Sequence, residues 1–550
     1  MKSRQYPSHE GDQEDLVAGL RRPEAYPWHP DTVDVVETHI SWVFLAGDRV
    51  VKVKRPVAYG FVDHTSLDAR HQSCVDEVRL NRRLTSGVYL DVVPIVQRDG
   101  NYRVAGKGNP IEWATLMRRL PASGMLDALL VSGHAPPDLA ARLAHRLIPF
   151  HRDLAPSCGD TAEVAAAATA IVTENLIELA PFVGHTLGPI QFDLVATAMR
   201  HFVAARDDLL RARAAAGWIR EGHGDLRVGH VCLEPDGVVQ IFDCVEFNRD
   251  LRCADVASDF AFLLMDLARL GAAEVAGTLL ARYRAAGLDV PDELLRLYTA
   301  HRALVRAKIA GLELPGSGIE ETARHMAEAT DYLDLASAAV LTVQPVLMAM
   351  TGLSGTGKST VARRLARALG ARLFASDIVR KELAGIEGPA PAAWGQGLYR
   401  SEWTRATYDR LFALAEASLD AGIPVVLDAS FLATEQRLSA AAVAARANAQ
   451  LVLVETVCDE ETVAARLATR TARGGSLSDA TMSIFRHQLA ALSAAPPQVP
   501  AGALATQVNT AAGGPGILDP VFTALVNEGI VRPIVPTAPF GGSSRLRIVQ

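Results

Sequence analysis

The sequence predicts a mixed α/β and α+β protein of two domains, the second built on a parallel sheet. Three observations predict it. The chain has 550 residues, too many for one ordinary core. Its first half carries turn signals at Gly47-Asp48, Asp99-Gly100 and Pro235-Asp236-Gly237, each between apolar runs. From Val346 onward short apolar runs alternate with helical stretches instead, the pattern of βαβ units.

Taken in order, the first 34 residues are polar and punctuated by proline, and are expected to be a flexible arm. Residues Glu37 to Pro56, "ETHISWVFLAGDRVVKVKRP", alternate as a β-hairpin. Arg70 to Leu84 has helical periodicity, and Val92 to Gly106 forms a second hairpin. Pro137 to Arg220 is rich in Ala and Leu and reads as helices, a strand pair follows around Asp236-Gly237, and helices continue to about Val340. The runs "VLMAM", "ARLFAS", "PVVLDA" and "LVLVET" are the strands of the parallel sheet. These readings place one domain at 35–342, a second at 343–515 and a poorly ordered tail at 516–550.

Composition narrows the class. Apolar residues make up 49% and charged residues 21%, as in soluble globular proteins. A net charge of −7 gives no electrostatic reason for standing association with nucleic acid or an anionic membrane. The six cysteines lack paired spacing and suit reduced thiols. No apolar core of a signal peptide opens the chain. The uncharged stretches Leu335–Gly357 and Gln488–Leu518 are broken by proline and glycine, unlike membrane spans. A cytoplasmic protein is expected.

The strongest motif is "GLSGTGKS", followed by Thr360. It places Gly352, Leu353, Ser354, Gly355, Thr356, Gly357, Lys358, Ser359 and Thr360 between a strand and a helix, the context a phosphate-binding loop requires. Backbone N–H groups at the helix start would hold the ATP phosphates, Lys358 adds a point charge, and the Ser359 hydroxyl is placed for Mg²⁺. Asp377, in "ASDIVRKEL" at the next strand's end, could deprotonate an acceptor hydroxyl, with Arg380 one turn on to hold an anion. The plain alternative is that Ser376 or Asp377 only caps the helix. Asp428 ends "PVVLD" where a P-loop protein places its Mg²⁺-water carboxylate. Arg466, Arg470 and Arg473 share one helical face and suit a cationic lid over the transferring group, or a solvated face. From Val346 to Ala495 the chain resembles the small-molecule and polynucleotide 5′-hydroxyl kinases of the P-loop class, which implies a P-loop NTPase fold.

The second motif is "HGDLRVGHVCLEPDGVVQIFDCVEFN", from His223. It resembles the catalytic segment of the aminoglycoside phosphotransferase-like branch of the protein-kinase fold. The resemblance implies that Asp225 is the base for an acceptor hydroxyl and that Asp243, 18 residues later, holds Mg²⁺. Such a site also needs a strand lysine and a helix glutamate. Lys52 and Lys54 lie on one face of a strand and are equally placed; Glu77 is the expected partner, ahead of Asp76. Two features depart from the pattern. One glycine, at the hairpin turn, stands where a glycine-rich loop would be, and His230 replaces the asparagine. Imidazole suits Mn²⁺ better than Mg²⁺. His230 could meet the metal through water, donate to phosphate, or mark a site that binds nucleotide without turnover. Asp255 and Asp259 share a helical face behind the loop, and Asp255 is read as its support.

With this order of halves, residues 35 to 500 resemble a bacterial family of bifunctional aminoglycoside phosphotransferase-like/ATP-binding proteins. The implied activity is a two-module kinase that uses ATP and Mg²⁺, or Mn²⁺ at the first site, on a small-molecule hydroxyl acceptor, with no obligatory nucleic acid and no membrane. A nucleotide-binding pseudokinase controlling the P-loop half, and a polynucleotide 5′-hydroxyl kinase, are the alternatives.

Overall fold

The alternating residues on either side of Gly47 and Asp48 pair as their pattern requires, with Val43 opposite Lys52 and Ser41 opposite Lys54. A computed structural model describes residues 10–534 except 61, 158–159, 316, 387–399 and 474–480, with backbone alone for 10–12 and 471–473. The described chain forms two units. The first runs from residue 10 to Ile171 and resumes over Asp208–Leu295; the second comprises Val172–Asp207 and Arg296 onward to residue 534.

The first unit has a six-stranded antiparallel sheet. Its strands are β1 (Val33–Glu37), β2 (Ser41–Ala46), β3 (Arg49–Lys54), β4 (Tyr89–Arg98), β5 (Asn101–Val104) and β6 (Glu112–Arg118), in spatial order β1-β2-β3-β6-β4-β5. The helix Leu67–Asn81 packs on β4 and β6, capped by the Ser66 side chain. A hairpin of β7 (Val231–Leu233) and β8 (Val239–Ile241) follows the His223 loop, and the helix Val256–Arg269 lies behind it. This is the kinase-like fold.

The first 34 residues are not wholly a loose arm. Glu10–Leu20 is a helix whose Leu16 and Leu20 are buried with Tyr26 against Trp42, Phe44 and Val51. Two leucines four apart make a stripe too narrow to stand out among polar neighbours.

The second unit holds a five-stranded sheet in which every pair is parallel. Its strands are β9 (Val346–Thr351), β10 (Arg372–Ala375), β11 (Val425–Asp428), β12 (Gln450–Val457) and β13 (Leu504–Asn509), ordered β10-β11-β9-β12-β13. This is the P-loop fold. The fifth strand lies in the uncharged, proline-rich stretch that shows no element in the sequence. The tail is also partly ordered: the helix Asp519–Asn527 buries Val521, Phe522 and Leu525, and Val531–Pro533 pairs with Leu341–Val343. Residues 535–550 lie outside the described chain.

A single cut at 342 does not match how this unit packs. The carboxylate of Asp334, on the helix Ile319–Val340, is buried and takes both arms of Arg364 from the P-loop helix Lys358–Leu369, at 3.1 Å each. Gln191 donates to the same carboxylate at 2.9 Å. A change of sequence grammar marks a change of element type, whereas these buried pairs decide what packs with what. Among the described residues, Thr161–Phe182 has the length and composition of a membrane-crossing helix, and it contains Glu163, Glu174 and Glu178. Cys74, Cys232, Cys244, Cys253 and Cys458 are free thiols.

Candidate active sites

The two-residue period of β3 sends Lys52 and Lys54 to the same face, where one carboxylate meets both. Glu77 Oε1 lies 2.7 Å from Lys52 Nζ and Oε2 lies 2.9 Å from Lys54 Nζ. The Thr115 hydroxyl donates to Oε2 at 2.8 Å. Asp76 faces away and pairs with Arg79. The lysines differ in their second partner: Lys52 reaches Asp243 Oδ1 at 2.6 Å, and Lys54 reaches Glu246. The Lys54 side chain is wholly buried, while that of Lys52 keeps 12% of its surface open. Lys52 therefore faces the site and Lys54 sits beneath it.

Burial opposes the charge on Lys52, but Asp243, Glu77 and Glu246 outweigh it and hold its pKa well above the ordinary value. Burial works against the Asp243 carboxylate too, and Lys52 overcomes it, keeping Asp243 ionised. Glu246 stands three residues after Asp243 within "FDCVEFN" and carries no sequence signal of its own.

The His223 loop is held from behind. Asp259 accepts the backbone N–H groups of His223 and Gly224, the latter at 2.8 Å. Asp255, read as the loop's support, instead caps its own helix and pairs with Arg213 at 2.6 Å, so the brace is Asp259. His223 Nε2 meets the Phe242 carbonyl at 3.0 Å, and burial pushes this ring's pKa down to about 4, so it stays neutral. Asp243 follows β8 with φ at +63°, a left-handed conformation that costs a non-glycine residue energy and gathers at functional sites. Around the loop's mouth, Arg227 Nε is 3.2 Å from Asp225 Oδ2, and His230 Nε2 is 3.4 Å from Asp243 Oδ2. Asp225, His230 and Asp243 are thus brought together with Lys52. A nitrogen and a carboxylate oxygen at that spacing fit a divalent ion, with a donor set that suits Mn²⁺ more than Mg²⁺.

In the second unit, Gly352, Gly355 and Gly357 all have positive φ, between +84° and +124°. A Cβ on Gly352 would stand 2.5 Å from the Thr456 carbonyl, so the loop needs glycine there for space as well as conformation. Lys358 curls over the loop and donates to the carbonyls of Gly352 at 3.0 Å and Leu353 at 2.7 Å. Burial lowers its pKa to about 8, with Arg470 adding to the effect and Asp428 and Asp377 opposing it. Asp428 accepts a hydrogen bond from Ser359 while burial raises its pKa. That hydroxyl–carboxylate pair beside a glycine cradle fits Mg²⁺ and nucleotide phosphates.

Asp377 pairs with Arg380 at 3.0 Å. The N-cap of its helix is Ala375 and no side chain caps it, so the capping alternative does not hold. Arg466 is tied down: its guanidinium donates to Thr510 Oγ1 at 2.9 Å and to the Thr510 carbonyl at 2.6 Å. Thr510 Oγ1 in turn donates to the Thr356 carbonyl at 2.7 Å. Arg466 braces the phosphate loop and is not part of a free arginine lid. The Arg473 side chain lies outside the described residues. Arg470, Arg466, Lys358, Ser359, Thr360, Asp377, Arg380 and Asp428 all line one cavity of about 1390 Å³. Thr510 and Gln488, which accepts the Ser354 N–H at 2.8 Å, have no sequence signal, because both lie in the uncharged stretch.

The family model described as an AAA domain matches residues 347–495. The chain is 32% identical over 467 residues to the uncharacterized proteins Rv2004c of Mycobacterium tuberculosis and Mb2027c of Mycobacterium bovis, covering 83% of this chain and 90% of each relative. Among solved structures, a gluconokinase from Sinorhizobium meliloti is 23% identical, with a TM-score of 0.24, over 34% of this chain and 95% of that one. The GDP and kanamycin complex of APH(2")-IIia is 16% identical, with a TM-score of 0.34, over 56% of this chain and 94% of that one.

Proposed function

We propose that the chain, which belongs to the family of the mycobacterial proteins Rv2004c and Mb2027c, is a two-module, ATP-dependent phosphotransferase with an aminoglycoside phosphotransferase-like half joined to a P-loop half. Each module transfers the γ-phosphoryl group of ATP to a hydroxyl of a small molecule. The observation that carries the reading is the cavity shared by Lys358, the Ser359–Asp428 pair and Asp377, which joins phosphate-binding groups to a carboxylate base.

In the P-loop half the backbone of Gly352 to Thr360 holds the phosphates, and Lys358 turns from the loop carbonyls to the anion. Mg²⁺ held by Ser359 and Asp428 would neutralise charge on the phosphate oxygens. Asp377 takes the acceptor's proton as its oxygen attacks phosphorus and the bond to the departing ADP breaks, and Arg380 keeps that carboxylate aimed. Arg470 meets the charge that develops on the transferring group. In the other half Asp225 is the base, Lys52 binds phosphate, Glu77 fixes Lys52, and Asp243 with His230 would hold the metal. Such an enzyme works in the cytoplasm, where ATP is supplied.

The test is incubation of the full chain with γ-labelled ATP and a fractionated metabolite extract. Labelled phosphomonoesters are expected. Label recovered only as inorganic phosphate would overturn the small-molecule reading, and label on oligonucleotide 5′ ends would favour the polynucleotide alternative.

A further inference from the structure

Arg227 makes a contact that the catalytic reading does not use. His230 Nδ1 lies 2.9 Å from the Asp225 carbonyl oxygen. A carbonyl only accepts, so Nδ1 carries the ring hydrogen and Nε2 of the neutral ring is left a lone pair. Arg227 Nη2, which only donates, stands 2.8 Å from that Nε2. The same nitrogen is 3.4 Å from Asp243 Oδ2. Two donors each ~2.1 Å from one ion stand about 3.0 to 3.4 Å apart, for angles between a right angle and the tetrahedral one. His230 and Asp243 thus have the spacing of two ligands to a single divalent ion, and Arg227 occupies the lone pair that ion needs. One lone pair serves one partner at a time.

Charge points the same way. Lys52, Lys54 and Arg227 face the carboxylates of Glu77, Asp225, Asp243 and Glu246, three cations against four anions. The group's excess of negative charge favours entry of a divalent cation while Arg227 keeps its bond to Asp225. Arg227 Nε, on the Asp225 side of the guanidinium, gives it a pivot.

We propose that Arg227 is a displaceable internal cation: its guanidinium holds His230 Nε2 and yields that lone pair to the divalent ion that accompanies the nucleotide. The proposal rests on the reading of this half as a nucleotide site. His230 then ligates the metal directly through Nε2, and Arg227 pivots about Asp225 toward the phosphates.

The test is pulsed electron paramagnetic resonance of Mn²⁺ with a non-hydrolysable ATP analogue, on the full chain carrying Lys358→Ala and Ser359→Ala to remove the P-loop half's signal. Nitrogen modulation from an imidazole is expected, and should vanish in His230→Asn while Mn²⁺ still binds. Arg227→Gln should tighten Mn²⁺ binding about tenfold or more, because a charge-assisted hydrogen bond no longer competes. Arg227→Lys, which can still offer Nε2 a cation, should stay near the parent chain. Bound Mn²⁺ without nitrogen coupling overturns the proposal and needs no arginine variant. Equal Mn²⁺ affinity in a folded Arg227→Gln overturns it as well. Absence of any Mn²⁺–nucleotide binding that Asp243→Asn weakens overturns the nucleotide-site reading together with it, a result distinct from metal bound without coupling.

Discussion

Lys52 Nζ lies 2.6 Å from Asp243 Oδ1, joining the lysine strand to the carboxylate two residues past β8 across 191 residues of chain. Lys54, two residues on, is turned to Glu246 instead. The two lysines should therefore fail differently. Lys52→Ala should lower turnover of the first module by about 10²-fold or more while the fold persists, since Lys52 is the one open to the site. Lys54→Ala leaves Glu77 and Glu246 buried with one cation fewer and should cost about 3–5 kcal/mol of stability. Thermal melts and single-module turnover of the two variants check this. Equal losses of activity at equal stability would contradict the assignment.

Asp377 is placed to act on the acceptor, not on ATP. Asp377→Asn should keep ATP affinity within a few-fold and lower the P-loop module's turnover by about 10²-fold or more, the usual scale of a general base. Nucleotide titration and steady-state rates separate the two effects. Weakened ATP binding with an intact rate at saturation would point to an electrostatic role at the phosphates.

The two described arginines of the helix Glu460–Arg473 divide by their contacts. Arg466 holds Thr510 with two hydrogen bonds, so Arg466→Ala should lower the melting temperature and ATP affinity together. Arg470→Ala should act mainly on turnover, because Arg470 lines the cavity. Differential scanning fluorimetry with and without ATP distinguishes them.

Acid should destabilise the first unit through His64. Its Nε2 is 3.1 Å from Ser73 Oγ, and burial, aided by Lys54 and Arg70, lowers its pKa to about 4. In the unfolded chain the ring titrates near ~6.5. The folded value is the lower one, so this contribution is whole above that pH and is lost as pH falls toward 4, where the unfolded chain takes up a proton the folded one refuses. The slope should approach about 1.4 kcal/mol per pH unit within that window. His64→Gln should flatten the fall in stability between pH 6.5 and 4.5 measured by urea titration; an unchanged slope would exclude His64 as its source.

Much of this was legible where local chemistry decides the outcome. Gly47-Asp48 and Asp99-Gly100 mark turns because the backbone needs left-handed residues there, and Gly352, Gly355 and Gly357 mark the phosphate loop for the same reason. Four parallel strands stand out as dense apolar runs. The rest depends on partners far away in sequence. Lys52 and Lys54 look alike until Asp243 and Glu246 distinguish them. Asp255 and Asp259 share a helical face, and only the loop's position selects Asp259 as its brace. The packing of Ile319–Val340 with the P-loop helix rests on the buried Asp334–Arg364 pair, 30 residues apart, which no periodicity encodes. The strand Leu504–Asn509 and the helix Glu10–Leu20 carry too few apolar residues to rise above their surroundings.

The central claim is that one chain holds two working phosphotransfer sites. It is tested most directly by measuring label transfer from γ-labelled ATP into acceptor products with the full chain, Asp225→Ala, Lys358→Ala and the double variant. Each single variant should lose one set of labelled products and keep the other, and the double variant should make none. If Asp225→Ala changes no product while Lys358→Ala abolishes all of them, the first site binds nucleotide without turnover and the two-enzyme account is wrong.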